Sequence, residues 1–292
     1  MLFPRITCIS NLDSQLRRVP HYYPVSLEEI KTTLFSMKGL KSPGPNEIQP
    51  IFYQRHWKVV VGTLHTFVNN SLLDGFFEPS LLQAHIAFIP KGESLDMIQK
   101  FRPICLLNVA YKMLSKVLVN RLRPYLQKLI GPLQSNFLSS RSTTDNIILV
   151  QEAVHTMCRM KGRNGALIFK INLHKAFDSV DWNFLWEVLI DFNLPPALIR
   201  LIMFSITSLQ LSVLWNGEEL PYFQPERGLR QGDPLSSYLF IMVMEKLSHM
   251  ILSRVQDCSW KPFRVACGGF PLSHLFFVDV LMLFCEASQS QV

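Results

Sequence analysis

The chain is poor in charge and carries no ordered cysteine pattern. Asp, Glu, Lys and Arg make up 17% of its 292 residues, well under the usual quarter. Its six cysteines, Cys8, Cys105, Cys158, Cys258, Cys267 and Cys285, include no C-x-x-C pair. Neither a zinc site nor a disulfide framework is suggested, and a reducing compartment fits that usage. No cationic start leads into an apolar run with a small-residue cleavage site, so no signal peptide is expected. The longest uncharged stretch, Leu201 to Gly217, contains Ser, Thr, Gln and Asn. It is too short and too polar for a membrane span, and no membrane partner is expected. Internal repeats, low-complexity tracts and linkers are also missing.

What is present is apolar material and a basic balance. The hydrophobic share of 48% is ample for a buried core, and the length suits one large domain or two small ones. The net charge of +7 permits a polyanionic partner such as nucleic acid without establishing one.

Residues 1–25 lack periodicity and read as an irregular lead-in. Ser26-Leu27-Glu28-Glu29 reads as a helix start with acids in its first turn, followed by Ile30, Leu34 and Met37 at helical spacing. Lys41-Ser42-Pro43-Gly44-Pro45-Asn46 breaks that helix. Phe52 to Leu73 reads as one helix, with Phe52, Trp57, Val60, Leu64 and Phe67 as its buried stripe. Ala84 to Lys91 reads as a strand ending at Pro90. Lys91 and Arg102 flank a polar loop. Val109 to Leu129 is a long amphipathic helix with Lys112, Lys116, Arg121, Arg123 and Lys128 on its polar side, a face that suits phosphate backbones but is often only solvated. Gly131-Pro132 stops it, and a second helix is expected over Thr144 to Met160.

Arg163-Asn164-Gly165 is a turn. Ala166 to Leu173 alternates as a strand: Leu167, Phe169, Ile171 and Leu173 share the main apolar face, and Asn172 points away from it. Asp178-Ser179-Val180-Asp181 looks like a helix N-cap for Trp182 to Phe192, and Pro195-Pro196 opens the next helix. Leu211 to Trp215 is a strand that turns at Asn216-Gly217 and returns through Pro221-Tyr222-Phe223. Arg227 to Ser236 is dense in glycine, charge and proline and opens a helix over about Pro234 to Ser253. Its backbone donors, with Arg227 and Arg230 nearby, make a candidate anion site. Phe276 to Phe284 sets a lone Asp279 between two apolar arms. A charge so placed sits at a turn, is paired, or holds a metal.

Together and in order, these segments resemble the reverse transcriptase of non-long-terminal-repeat retrotransposons, of the long-interspersed-element type found in plant genomes. The segments are Lys41-Ser42-Pro43-Gly44-Pro45, Ile89-Pro90-Lys91 and Phe101-Arg102-Pro103-Ile104-Cys105-Leu106. They continue with Gln134-Ser135-Asn136-Phe137, Asp145-Asn146-Ile147, Lys170 to Trp182, Gly228 to Leu235, and the Asp279 stretch. Any one is weak, but the ordered set over roughly residues 25–288 is specific.

The resemblance implies an α+β, right-hand polymerase fold: helical fingers over 26–160, an antiparallel-sheet palm over 161–292, and the thumb absent. It implies nucleotidyl transfer from deoxynucleoside triphosphates onto a DNA primer along an RNA template. Two Mg²⁺ ions, held by carboxylates converging from different strands, serve that chemistry in the family. Lys91 and Arg102 match residues that hold the triphosphate. Phe177 matches the bulky gate against a ribose 2′-hydroxyl, and Gln231 and Gly232 match the loop beside the incoming nucleotide. The backbone carbonyl of Leu173 matches one that faces a metal. Intracellular residence, nuclear or cytoplasmic, also follows from the resemblance, which leaves oligomeric state open.

The chain departs from the family where the chemistry is concentrated. Of the three metal-binding carboxylate positions only Asp279 is acidic; the others are Asn172 and Val280. Asn46 and Glu47 replace a usual Asp-Gly, Ser140 a usual Gly, and Ser237 a usual Pro. Metal catalysis is worth several kcal/mol, and each ~1.4 kcal/mol is about tenfold in rate, so losing two ligands is expected to cost roughly a thousandfold or more. Two functions are therefore expected as alternatives: an impaired RNA-directed DNA polymerase, or a non-catalytic remnant that retains nucleic-acid binding.

Overall fold

The computed structural model describes residues 24–93, 96–135, 141, 143–160, 165–265, 269–288 and 291. Most of the lead-in, Asn136, Phe137, Ser140, Arg163, Asn164, Cys8 and Cys267 lie outside the described residues. The helices are α1 Leu27–Phe35, α2 Pro50–Arg55, α3 Trp57–Asp74, α4 Val109–Leu129, α5 Thr143–Arg159, α6 Trp182–Asp191, α7 Pro196–Thr207 and α8 Pro234–Gln256. The strands are β1 Gln83–Pro90, β2 Phe101–Leu107, β3 Gly165–Asn172, β4 Gln210–Trp215, β5 Glu218–Glu219, β6 Phe263–Arg264, β7 Pro271–Leu272, β8 His274–Phe277 and β9 Val280–Ala287. Mixed helices and sheets give an α+β fold.

The chain divides into two compact units that interleave along the sequence. One takes residues up to 125 together with 177–240, apart from the first few residues of the chain; the other takes 126–176 and 241–292. A single cut near residue 160 does not separate them. The reason lies in strand pairing: β1 pairs with β4 and β3 pairs with β9, so each sheet joins distant segments.

In the first unit the sheet order is β2-β1-β4-β5. The β1–β2 ladder is antiparallel from Ala84↔Leu107 to Pro90↔Phe101, and β4 lies parallel to β1. Asn216 and Gly217, both at positive φ (51° and 86°), close the β4–β5 turn, the backbone that an Asn-Gly pair favours. Ser26 caps α1 by accepting from the Glu29 N–H at 3.1 Å, as its sequence leads one to expect. The expected helix over Phe52 to Leu73 is in fact two, broken at His56. Its buried stripe is Leu64, Val68 and Ser71, while Phe52 is exposed. The break resets the helical phase, so residues before His56 no longer share the face of those after it. Asp181, not Asp178, is the cap of α6: its side chain accepts from the Phe184 N–H at 2.9 Å.

The second unit carries the order β3-β9-β8. Ala166 and Ile168 of β3 pack with Phe284, Leu275 and Met282 of β8 and β9 against Leu149, Val150, Ala153 and Met157 of α5. The face of β3 with the more apolar sequence, Phe169 and Ile171, is the more exposed one. Asn172 stands opposite Phe169 and Ile171, as alternation leads one to expect, and is exposed, but the face it shares is the one whose Ala166 and Ile168 pack in the core. Periodicity reveals two faces but not which of them meets a helix. Among the described residues one helix, α8, is long and apolar enough to cross a membrane, and more than half of it is buried within the protein.

Candidate active site

The second unit builds the Asp279 turn from two strands. β8 ends at Phe277 and β9 begins at Val280, and those two residues pair, leaving Val278 and Asp279 as a two-residue loop. Val278 has φ 55°, whereas Asp279 is not at positive φ. That pattern matches a type II′ hairpin turn, which favours glycine at the position Val278 fills. Asp279 is exposed at the tip. The β3–β9 ladder runs from Gly165↔Ala287 to Asn172↔Val280, and the Leu173 N–H donates to the Asp279 carbonyl at 2.9 Å. Asn172 and Val280 are thus directly opposed, with Cβ atoms about 5 Å apart by the geometry of such pairs. The register juxtaposes two of the three positions at which the resemblance places metal-binding carboxylates, and neither carries an acid.

The arms are anchored independently of any charge at the tip. The Phe276 N–H donates to the Leu133 carbonyl at 3.0 Å, and Gln134 bridges to Phe276 in parallel. His274 of β8 lies fully buried between the Ser248 hydroxyl at Nε2 (2.8 Å) and the Ser273 hydroxyl at Nδ1 (2.9 Å). Burial, with the His249 charge adding to it, pushes the His274 imidazole down to about 4, so it is neutral at pH 7. The Leu133–Phe276 and Ser248–His274 supports were not legible in the sequence, because each joins separate segments of the chain.

The first unit assembles the other expected residues around the loop before α8. Lys91 and Arg102 stand at one end of the β1–β2 hairpin: Arg102 opposes Ile89, and the Lys91 N–H bonds to the Lys100 carbonyl at 2.9 Å. Both side chains are exposed. Three residues along β2 from Arg102, the Cys105 N–H donates to the Gln231 carbonyl at 2.8 Å. Gly232 (φ 114°) presses on the same strand, and a Cβ there would lie 2.8 Å from the Cys105 carbonyl oxygen. No side chain fits that approach. The Leu229 N–H donates to the Phe177 carbonyl at 2.8 Å, and the Phe177 ring stacks on Phe240 at 4.3 Å. Hydrogen bonds and ring stacking thus link Phe177, Gln231, Gly232 and β2 into one framework.

Contrary to the expectation from its place in the sequence, Arg230 is not available as an anion ligand. Only 6% exposed, it donates to the Ser205 carbonyl, lies 4.9 Å above the Tyr111 ring and sits 3.7 Å from Asp233. Asp233 in turn accepts from the Tyr111 hydroxyl (2.7 Å), the Ser115 hydroxyl and the Leu235 N–H (3.1 Å). Burial pushes the Tyr111 phenol far above its ordinary range, keeping it a neutral donor. Asp233 directly precedes the proline that opens α8, and its partners on α4 were not legible in the sequence. Arg227 remains exposed.

The residues at the hairpin do not suit a pair of Mg²⁺ ions. Magnesium takes hard oxygen ligands, and its two-ion sites rely on convergent carboxylates. The hairpin offers one carboxylate (Asp279), one amide (Asn172), a backbone carbonyl (Leu173) and the hydrocarbon of Val280. Among the described residues no group of three or more His, Cys, Asp or Glu side chains could hold a metal ion.

The family model for reverse transcriptase (RNA-dependent DNA polymerase) matches residues 89–292. The chain belongs to the reverse transcriptase family. Its relatives include the transposon TX1 uncharacterized 149 kDa protein of Xenopus laevis, 28% identical over 80% of this chain and 18% of that protein. They also include the Pol polyprotein of the retrotransposable element R2DM of Drosophila melanogaster, 26% identical over 95% of this chain and 24% of that protein. The uncharacterized mitochondrial protein AtMg01250 of Arabidopsis thaliana is 36% identical over 26% of the chain and 62% of its own length. The reverse transcriptase expectation drawn from the ordered motifs is borne out. The chain spans about a fifth to a quarter of the two transposon proteins.

Proposed function

We propose that this reverse transcriptase domain keeps the nucleotide- and nucleic-acid-binding framework of a retrotransposon polymerase while polymerisation itself is severely impaired. The observation that carries this reading is the Asn172↔Val280 pair: the ladder opposes the two positions, and neither supplies a carboxylate. Asp279 is left to act alone. In this reading Lys91 and Arg102 hold the triphosphate of a deoxynucleotide, as two exposed cations at one hairpin end can. Phe177, fixed against Phe240, gates the sugar, and the backbone at Gln231 and Gly232 lines the nucleotide. An RNA template and a DNA primer are the macromolecular partners.

Primer extension on an RNA template, in Mg²⁺ and separately in Mn²⁺, tests the proposal. The chain as it stands is expected to bind labelled RNA yet to extend the primer at least roughly a thousandfold more slowly than a domain with all three acids. Template-dependent extension at ordinary polymerase rates would refute the impairment. Asn172→Asp combined with Val280→Asp should raise any residual activity, and Asp279→Asn should abolish it.

A further inference from the structure

Three lysines of the first unit converge without a counter-charge. Lys112 and Lys116 are four residues apart on α4, hence on one face and about 6 Å apart along the axis. The proline–glycine loop after α1 brings in the third. That loop docks on the start of α4: the Asn46 N–H donates to Asn108 Oδ1 at 3.1 Å, and Lys112 Nζ reaches the Ser42 carbonyl at 3.5 Å. Gly44 makes the docking possible, since a Cβ there would lie 2.4 Å from backbone atoms of Leu107 and Asn108. Lys41, next to Ser42, is thereby held in the field of both helix lysines.

The consequences appear in the lysines themselves. Burial first, and Lys41 after it, pulls Lys112 below the ordinary lysine range. Burial, Arg123 and Lys41 do the same to Lys116. Arg123 is itself engaged: its Nε donates to the Tyr238 hydroxyl at 3.2 Å. Lys41, Lys112 and Lys116 form no ion pair among the described residues. The one carboxylate whose field reaches Lys112, Asp233, is already engaged by Tyr111, Ser115 and Arg230. Gathering partly desolvated like charges opposes folding unless an anion is received there.

We infer that Lys41, Lys112 and Lys116 form a seat for the phosphodiester backbone of a nucleic-acid strand. The loop that carries Lys41 docks at Leu107 and Asn108, at the end of β2 remote from Arg102. The axial step between the helix lysines is on the scale at which successive phosphates follow along a strand. The inference rests on the nucleic-acid reading proposed above and adds to it the surface that takes the backbone.

The test is binding of a short fluorescein-labelled single-stranded RNA to the full chain, followed by anisotropy over a salt series. Each phosphate contact on a single strand contributes about 0.7 to the slope of log K against log[salt]. Lys112→Gln with Lys116→Gln should weaken binding and lower the slope by about 1.4, and Lys41→Gln alone by about 0.7. Lys112→Arg with Lys116→Arg should restore the slope. Lys58→Gln, an equal charge change on α3, should leave it unchanged. Melting of each variant, read by circular dichroism, checks that the fold is kept. An unchanged slope with the three lysines replaced would overturn the seat and leave the nucleic-acid reading standing. Equal losses from Lys58→Gln would show diffuse attraction and also overturn it. No binding by the parent chain at low salt would overturn both.

Discussion

Replacing Asp233 by alanine should destabilise the first unit by about 4–6 kcal/mol. The largest part comes from Arg230, which is 6% exposed and keeps a buried Nη1 with no hydrogen-bond partner. Removing Asp233, the carboxylate paired with it among the described residues, leaves a buried charge uncompensated, a loss of about 3–5 kcal/mol. The Tyr111 hydroxyl also loses its acceptor, for about another 1 kcal/mol. The Leu235 N–H suffers less, because the Ser115 hydroxyl lies 3.1 Å away. Asp233→Asn keeps an acceptor for Tyr111 and should fall nearer 3 kcal/mol. Removing both charges, as Asp233→Ala with Arg230→Met, should cost clearly less than the sum of the single changes, with a coupling of about 2–3 kcal/mol.

Urea unfolding followed by tryptophan fluorescence measures these differences as midpoints at constant slope. Cys105 reports on the loop directly. It is 7% exposed, its N–H is held by the Gln231 carbonyl, and burial pushes its thiol up to about 11. Maleimide labelling of Cys105, read by peptide mass, should be slow in the parent chain and faster in Asp233→Ala. An Asp233→Ala variant within 1 kcal/mol of the parent, or a double variant whose cost is additive, would refute the account of Asp233 as the counter-charge that holds the loop.

His274 is neutral in the fold, and its pKa is lowered from 6.5 to about 4. The unfolded chain therefore binds a proton first, so stability is full above about pH 6.5 and falls by about 3 kcal/mol as pH drops to 4; His274→Gln should flatten that part of the urea-midpoint profile. Gly44→Ala forces a Cβ to 2.4 Å from the Leu107 and Asn108 backbones, so a thermal scan should show about 1–3 kcal/mol lost. Val278 holds φ 55°, which a β-branched residue tolerates poorly; Val278→Gly should leave the melting temperature unchanged or raise it, and a clear drop would contradict strain at the turn.

Local rules revealed much of this fold. The bounds of α4, Val109 and Leu129, follow from its amphipathic pattern and the Gly-Pro stop. Ser26 and the Asn216-Gly217 turn follow from short-range chemistry that needs no tertiary partner. What local rules missed depends on pairing at a distance. Which face of β3 is covered, which arginine is buried, and how the two units interleave are each fixed by tertiary contacts, such as the β3–β9 ladder and the Arg230–Tyr111 contact, that no local pattern encodes. Arg227 and Arg230 look alike in sequence; only Asp233, Ser205 and the Tyr111 ring make the second a structural residue. The site was legible as chemistry, since the residue types at 172, 279 and 280 could be read directly. Its supports were not, because His274 and Phe240 carry no pattern that marks them and the motif holding Gln134 does not reveal its pairing with Phe276.

The hairpin explains why loss of the acids need not disturb the fold. The β3–β9 ladder, the Leu173–Asp279 hydrogen bond and the Leu133–Phe276 bond hold the tip through backbone groups. The packed side chains Phe284, Leu275 and Ile168 supply the burial. None of these depends on carboxylates at 172 or 280. Two acids opposed across a ladder repel each other by up to about 1 kcal/mol, and only a bound cation offsets that. Asn172 and Val280 remove the repulsion, and Val280 adds a β-branched side chain suited to a strand. Stability and metal chemistry thus make opposite demands at these two positions, the usual tension at an active site. If polymerisation is impaired as proposed, relaxed demand for metal chemistry would favour the residues found at 172 and 280, while the anchored hairpin would be kept by its packing.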